Sequence, residues 1–389
     1  MGQPPRVLIV ADDLTGAMDS AGPFAAAGVP TWVAAAPMQC DPSALQSARA
    51  VSVNADSRHL CADRAADRVR EVAARLGAGY DVIVKKVDST LRGNVVSETL
   101  ALMQATGRRC AVVAPAFPAQ GRTVSGGVVH VRGVPLAQTP FAHDKLSPPP
   151  LVPLHEAFAA HVAAAAVAPG RVAAAVRGEG VLVVDAASDA DLDATVDAVG
   201  ADLGAVLLAG SAGLTQALAR RFFPGTAHGR EAGSVRGTIV FAVGSRAVQS
   251  AEQVEALAAD ADTRVLLAPN GRLPAGELPA AKNLVLKAAP DAQGKEGDAV
   301  QVAADMARHA IDVARRTRAG ALVATGGDTA IAILSASGNP ALQVLGDLMP
   351  GIPYARIRLD GAPLWLVTKA GGFGGRETFL ELARKLRGG

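Results

Sequence analysis

Short apolar runs recur along this chain, each of about five residues and each ending abruptly in a polar or glycine-rich turn. Val7–Ala11, Ala50–Val53, Val82–Val84, Ala111–Ala114, Val181–Val184 and Ala205–Leu208 are of this kind. Runs so short do not make helices, and apolar residues at every position suit strands buried on both faces. Longer amphipathic or alanine-rich segments lie between many of them, such as Ala17–Ala27, Ala62–Leu76 and Leu192–Val199. That alternation predicts an α/β fold, with a parallel sheet covered on both faces. A second series follows at Thr238–Val243, Val265–Leu267, Leu284–Leu286, Ala321–Ala324 and Leu364–Val367, again with helical patterns between. The polar, Gly- and Pro-marked stretch from Phe222 to Gly237 separates the two series and reads as a linker. The expectation is two domains, 1–230 and 236–389, each a mainly parallel β-sheet flanked by helices, with an active-site cleft between them. A length of 389 residues suits two domains of about 100–200 residues each. The alanine-rich stretch Ala157–Val176 reads as helix and turn.

Charge excludes some partners. The 38 basic and 36 acidic residues nearly cancel, and no long run of either sign appears, so neither nucleic acid nor a membrane surface is expected. Three scattered cysteines, Cys40, Cys61 and Cys110, form neither a CxxC pair nor a disulfide framework, which fits a cytoplasmic protein. The N-terminal apolar run is too short, and too soon broken by acids, for a signal peptide or a spanning helix.

Three polar clusters follow strands of the first series. In ADDLTGA, Asp12 and Asp13 stand where a strand ends and a helix begins. One carboxylate, or Thr15, caps the helix, but capping does not use both acids. Adjacent strand residues point opposite ways, so the pair has two jobs open to it: general base on a hydroxyl, and orientation of substrate or metal. Like charges so close are expected to raise one carboxyl pKa. KKVDSTLRGN packs Lys85, Lys86, Asp88, Ser89, Thr90, Arg92 and Asn94 into what reads as one loop, suited to a small hydroxylated anion or to a solvated turn. The segment Ala114–Lys145 is long, irregular and rich in Gly and Pro, with Gln120, Arg122, Thr123, His130 and Asp144 as its polar candidates. His130 and His143 lack a partner at metal-ligand spacing and no HExxH occurs, so no metal ligand set is assigned.

The second series carries three glycine-rich strand-to-helix loops: Gly244-Ser245-Arg246, Gly326-Gly327-Asp328-Thr329, and Lys369-Ala370-Gly371-Gly372-Phe373-Gly374-Gly375. Ser250 and Gln253 are spaced as a capping box for the helix after the first loop. Glycine lets a backbone approach phosphate oxygens, and helix N-termini supply amide donors. Such loops suit nucleotide phosphates, or serve only as tight turns. A fourth strand–glycine–helix unit, Ala209–Arg221, closes the first series. Walker A, GxGxxG and GxSxG patterns are all missing from the sequence.

In order along the chain, ADDLTGAMDS, KKVDSTLRGN, FPAQGRT with TPFAHDKLSP, GSAGL, VGSRAVQSAEQ, TGGDTA and KAGGFG resemble the motifs of the four-carbon acid sugar kinases. The resemblance spans Val7 to the final helix. It implies an N-terminal sugar-acid domain, a C-terminal nucleotide domain, and phosphate transfer from ATP to the terminal hydroxyl of a tetronate-type acid such as threonate, erythronate or an oxo-tetronate, with Mg²⁺ accompanying the nucleotide. By this resemblance Asp12 and Asp13 match the acidic pair beside the sugar; Lys86, Asp88, Ser89 and Arg92 match the sugar-acid loop, with Gln120 and Arg122 from the next segment. Ser245, Gly326, Gly327, Asp328, Thr329, Gly371, Gly372 and Gly374 match the nucleotide loops. Met18, where many members have Asn, and Val124–Gly127 depart from the family pattern on the substrate side and leave the exact acid open.

The expected mechanism has Lys86 and Arg92 holding the carboxylate and one of the acidic pair, Asp13 before Asp12, accepting the hydroxyl proton. The resemblance allows a homodimer. Alternatives are a kinase for a longer or branched sugar acid, a non-catalytic sugar-acid sensor on the same scaffold, and an NAD-dependent dehydrogenase. The missing GxGxxG argues against the last.

Overall fold

All five residues of the first apolar run are buried in strand β1 (Val7–Ala11) of the computed structural model, which describes residues 4–224 and 234–388. The chain divides into two compact units, residues 1–227 and 228–389. The centre of the sequence-read linker, residues 225–233, lies outside the described residues, as does the first domain limit at 230.

In the first unit the elements follow β1 as α1 (Leu14–Ala26), β2 (Thr31–Ala34), β3 (Ala50–Asn54), α2 (Ala62–Leu76), β4 (Val82–Lys86), α3 (Val95–Ala105), β5 (Cys110–Ala114), β6 (Arg122–Ser125), β7 (Val128–Val131) and β8 (Val134–Pro135). Then come α4 (Leu154–Ala159), β9 (Ala164–Val167), α5 (Val172–Ala175), β10 (Gly180–Val184), α6 (Asp189–Val199), β11 (Val206–Gly210) and α7 (Ala212–Phe222). The strands β2-β3-β1-β4-β11-β5-β10-β9 lie side by side in that order, every pair parallel. The predicted doubly covered sheet is therefore present.

Two parts of the first unit differ from the sequence reading. The stretch read as helix and turn contains an edge strand, β9, because pairing with β10 overrides the helix preference of Ala-Ala-Ala. The segment read as irregular folds its middle into an antiparallel meander, β6-β7-β8, turned at Gly126–Gly127.

The second unit runs β12 (Ile239–Val243), α8 (Val248–Ala258), β13 (Thr263–Pro269), β14 (Asn283–Ala289), α9 (Ala299–Thr317), β15 (Ala321–Thr325), α10 (Gly327–Ala336), β16 (Ala341–Met349), β17 (Ile352–Leu359), β18 (Ala362–Lys369) and α11 (Thr378–Leu386). Strands β13-β14-β12-β15-β18 are parallel, and β17 and β16 extend that sheet antiparallel. The antiparallel pair was missed because its residues alternate polar with apolar, as in Arg356 to Leu359, and because Pro353 interrupts the stretch Ile352 to Ala355. Phe241 on β12 packs on Phe379 of α11 with ring centroids 5.3 Å apart, and Ile239, Val323, Val367 and Leu382 complete this core.

Candidate active site

Each unit has a place where consecutive connections leave a strand end in opposite directions, the crevice where open parallel sheets bind ligands. In the first unit it lies between β1 and β4. Ala11 pairs with Asn54 of β3 and with Lys86 of β4, so three strand ends finish at one level. Asp12 and Asp13 leave the first, Arg58 follows the second, and Asp88 to Arg92 follow the third.

Arg58 organises this end. Its Nε and Nη2 donate to Oδ2 and Oδ1 of Asp12 at 2.7 and 3.0 Å, and its Nη1 donates to Oδ2 of Asp13 at 2.7 Å. Asp88 Oδ1 lies 3.9 Å away. Asp13 also caps α1, its Oδ1 accepting from the Gly16 amide at 2.8 Å. The two acids therefore share one cation, instead of serving separate faces as strand alternation suggested. Burial alone would raise the Asp12 carboxyl, but Arg58, Lys85 and Lys86 outweigh it and hold that carboxyl below its ordinary value. The expected upward shift from like charges does not fall on Asp12. Sequence reasoning missed Arg58; its only signal is a lone Arg just beyond a buried strand.

The lysines read as loop residues are the last two of β4, and alternation sends them to opposite faces. Lys85 pairs with Glu98 of α3 at 2.8 Å, both fully buried. Lys86 is 4% exposed, and its ammonium makes no hydrogen bond or ion pair among the described residues. Its Nζ stands 3.0 Å from where a Cβ on Gly16 would be, so the small residue at 16 leaves room for the ammonium.

Beyond β4, Asp88 accepts from Nε and Nη2 of Arg92, both at 3.0 Å, and from the Thr90 amide at 3.1 Å and the Thr90 hydroxyl. Burial raises the Asp88 carboxyl, yet Arg92 and Arg58 hold it well below the usual range. The loop turns through Leu91 at φ 58°, a conformation that a branched side chain adopts at a cost. Arg92 keeps about a third of its side chain exposed and reaches to 4.0 Å from Asp144. Ser89 is partly exposed and makes no hydrogen bond among the described residues. Arg122, on β6, donates to the Gln120 carbonyl and lies over the Phe141 ring, 5.9 Å from its centroid. Its charge is felt at Asp88 and Arg92, which places Gln120 and Arg122 beside the same cluster.

The second crevice lies between β12 and β15. Val243 pairs with Thr325, and Thr325 with Lys369 of β18, so all three glycine loops leave the sheet at one level. Gly326 takes φ 101° and donates its amide to the Lys369 carbonyl at 2.9 Å. A Cβ on Gly371 would overlap Ser245 Oγ, and Thr329 Oγ1 lies against Gly244. Ser245, Gly326 to Thr329 and Gly371 are thus brought together.

The third loop is held by its carbonyls. Lys369 Nζ donates to the oxygens of Ala370, Gly371 and Phe373 at 2.8, 3.2 and 2.9 Å. Ser250 Oγ donates to Gly371 at 2.8 Å, and Gln253 Nε2 to Phe373 and Gly375 at 2.9 and 3.0 Å. Ser250 and Gln253 are therefore loop anchors and not the capping box their spacing suggested; Ala247 occupies the cap position of α8 with no side-chain cap. With the carbonyls tied back, the amides of Gly371, Gly372 and Gly374 donate to no group among the described residues. α10 likewise opens at Gly326 without a side-chain cap, leaving first-turn amides free. Free amides at a helix start and in a glycine loop suit phosphate oxygens. Burial pushes the Lys369 ammonium down to about 7.

Among the described residues no cluster of three or more His, Cys, Asp or Glu is placed to hold a metal ion, all three cysteines are free, and no helix is long and apolar enough to cross a membrane.

Residues 7–218 match the family model described as a sugar-binding N-terminal domain, and residues 240–379 match that of a nucleotide-binding C-terminal domain. The chain is 35% identical to a D-threonate kinase of Bordetella bronchiseptica, covering 98% of each. It is 32% identical to a 3-oxo-tetronate kinase of Methylobacterium radiotolerans, covering 95% of this chain and 96% of the relative. A crystal structure from Bordetella bronchiseptica, described as a domain of unknown function with bound citrate and as a domain-swapped dimer, is 32% identical, covers 98% of this chain and 99% of its own, and superposes with a TM-score of 0.51. The chain belongs to the four-carbon acid sugar kinase family.

Proposed function

We propose that the protein is an ATP-dependent kinase that phosphorylates the terminal hydroxyl of a four-carbon sugar acid: threonate, erythronate or an oxo-tetronate. The observation that carries this is the third glycine loop of the second unit, whose carbonyls are tied inward and whose amides are left to a ligand. Names of relatives support the substrate class, since those matched act on D-threonate and 3-oxo-tetronate, and a D-erythronate kinase of Heliobacterium modesticaldum is 31% identical over 65% of this chain.

In this reading the first unit, residues 1–230, binds the acid. Lys86, Arg92 and Arg122 receive its carboxylate, a bidentate task that suits arginine. Ser89 and Gln120 meet its hydroxyls, and Asp88 holds Arg92 in place. Asp12 and Asp13, fixed by Arg58, stand at the reacting end as the acidic pair.

The second unit, residues 236–389, binds ATP. Ser245, Gly326 to Thr329, and Gly371, Gly372 and Gly374 surround the phosphates. Mg²⁺ usually keeps several waters and takes one or two carboxylates besides substrate phosphates, so this corner, with Asp328 exposed and unpaired among the described residues, fits it without a protein cage. When bound, the ion neutralises charge on the transferring phosphoryl group. The domain-swapped relative supports a homodimer, and the free cysteines a cytoplasmic setting.

The test is ADP release from ATP–Mg²⁺ with D- and L-threonate, D- and L-erythronate and the oxo-tetronates. Saturable turnover with one of them is expected. Silence across that panel, in protein that binds ATP, would redirect the reading to a longer or branched acid or to a sensor.

A further inference from the structure

Four carboxylates gather near the end of β1, and three are fully engaged. Both oxygens of Asp12 are taken by Arg58. Asp13 gives one oxygen to Arg58 and the other to the Gly16 amide. Asp88 gives both to Arg92, with Thr90 on the second. The arginines beside Asp12 and Asp88 stabilise the ionised forms and make both weak bases, and Asp13 has each oxygen held by a donor.

Asp19 is different. It lies on α1 one turn beyond Gly16 and four residues beyond Thr15, so the three share one side of the helix. Asp19 and Thr15 are both partly exposed, and neither makes a side-chain hydrogen bond or ion pair among the described residues. The charges that face Asp19 are Lys86 from β4, Asp13 from the β1–α1 junction, and Asp88 from the loop before α3. Burial, opposed by Lys86 and reinforced by the two acids, pushes the Asp19 carboxyl up to about 6. It is thus ionised at neutral pH yet basic enough to take a proton.

Lys86 is the second, independent observation. Its ammonium is buried at 4% exposure without an acceptor among the described residues, beside Gly16, and such a charge is costly unless a ligand completes it. The helix face of Thr15 and Asp19 and the ammonium of Lys86 therefore offer an acceptor, a hydroxyl and a cation that no protein group uses. A polyhydroxy acid presents the complementary set.

We propose that Asp19, and not the Arg58-bound pair, is the proton acceptor for the attacking hydroxyl, with Lys86 holding another oxygen of the same acid; this rests on the kinase reading above. The hydroxyl proton passes to the Asp19 carboxylate as the oxygen bonds to the γ-phosphorus. The bond from that phosphorus to the β,γ-bridging oxygen breaks, and ADP leaves with the electron pair. Asp19 returns its proton to water once the phosphorylated acid departs.

The experiment compares wild type, Asp19→Asn, Asp19→Glu and Asp13→Asn, each shown by thermal melting and calorimetric ATP binding to be folded. With the acid that turns over best, Asp19→Asn should lose about 10²- to 10³-fold in kcat, while its KM for ATP changes less than about threefold. Asp19→Glu should recover part of the loss. Wild-type kcat should fall on the acid side with a midpoint near 6, and that limb should vanish in the residual rate of Asp19→Asn. Turnover by Asp19→Asn within about threefold of wild type, or survival of the acid limb in it, overturns the assignment. A wild type silent with the whole panel overturns the kinase reading itself, and a working wild type beside an unimpaired Asp19→Asn overturns only the base.

Discussion

Arg58 holds Asp12 through two parallel hydrogen bonds, Nε to Oδ2 at 2.7 Å and Nη2 to Oδ1 at 3.0 Å, while its remaining arm reaches Asp13. One guanidinium thus permits two adjacent carboxylates to remain together at a buried strand end. The fork matters as much as the charge, because a single ammonium cannot make three such bonds in one plane.

Replacing Arg58 with Met should cost about 3–5 kcal/mol, the scale for stranding a buried charge after its partner is removed. Arg58→Lys should recover less than half of this. Urea denaturation at neutral pH checks both. A loss under 1 kcal/mol in Arg58→Met would mean that water satisfies the pair without it.

Acid should weaken the same cluster. Asp12 and Asp88 have folded-state pKa values below the ordinary 3.8. Their contribution is therefore present above about pH 4 and is lost as pH falls through the lower folded values. Asp19 carries the opposite sign, since its pKa is raised to about 6. Between about pH 4 and 6 the unfolded chain releases that proton first, so keeping Asp19 costs stability above pH 6. Asp19→Asn should accordingly be more stable than wild type at pH 7.5, by about 1–3 kcal/mol, and lose that advantage below pH 4. Melting curves at the two pH values decide, and a less stable variant at pH 7.5 would contradict the description of Asp19 as an unpaired, partly desolvated acid.

Neighbouring glycines in one loop should respond differently. A Cβ on Gly371 overlaps Ser245 Oγ, whereas one on Gly372 meets nothing nearer than Gln249 Oε1 at 3.9 Å. Gly371→Ala should weaken ATP binding tenfold or more with little effect on sugar-acid binding, and lower the melting temperature. Gly372→Ala should leave the melting temperature within about 1 °C of wild type. Calorimetric titration with each ligand separates the two.

Lys369 sets a pH dependence in the alkaline range. Its folded pKa is lowered to about 7 from 10.5, so the unfolded chain holds the proton between those values and stability rises as pH climbs from 7 toward 10.5. Lys369→Met should flatten this rise. It should also weaken ATP binding, most at pH 7 and below, where the ammonium can donate to all three carbonyls. Urea midpoints at pH 7 and 9 and ATP titrations at both values test the two effects; an unchanged slope in Lys369→Met would place the titration on another group.

Much of this was legible in the sequence, and the gaps have physical reasons. Buried parallel strands such as β1 and β12 declare themselves because every residue is apolar. Strands β16 and β17 do not, since polar residues interrupt the run, and β9 was hidden by alanine. The glycine loops could be read because glycine marks close backbone approach. Their anchors could not, because a serine and a glutamine at helical spacing look the same whether they cap their own helix or bind carbonyls more than 100 residues away. Arg58 and the free state of Asp19 were invisible for a like reason: pairing is a property of three dimensions, and the acids of ADDLTGAMDS differ only in what the fold brings to them.

The glycine loop after β18 is fastened through main-chain oxygens, by side chains that belong to α8 and to the strand end itself. Such fastening does not depend on which side chains the loop carries at exposed positions such as Gly372 and Arg376. Those residues can therefore be exchanged while the loop keeps its shape, so what the loop shows to solvent and what holds it in place are separately adjustable.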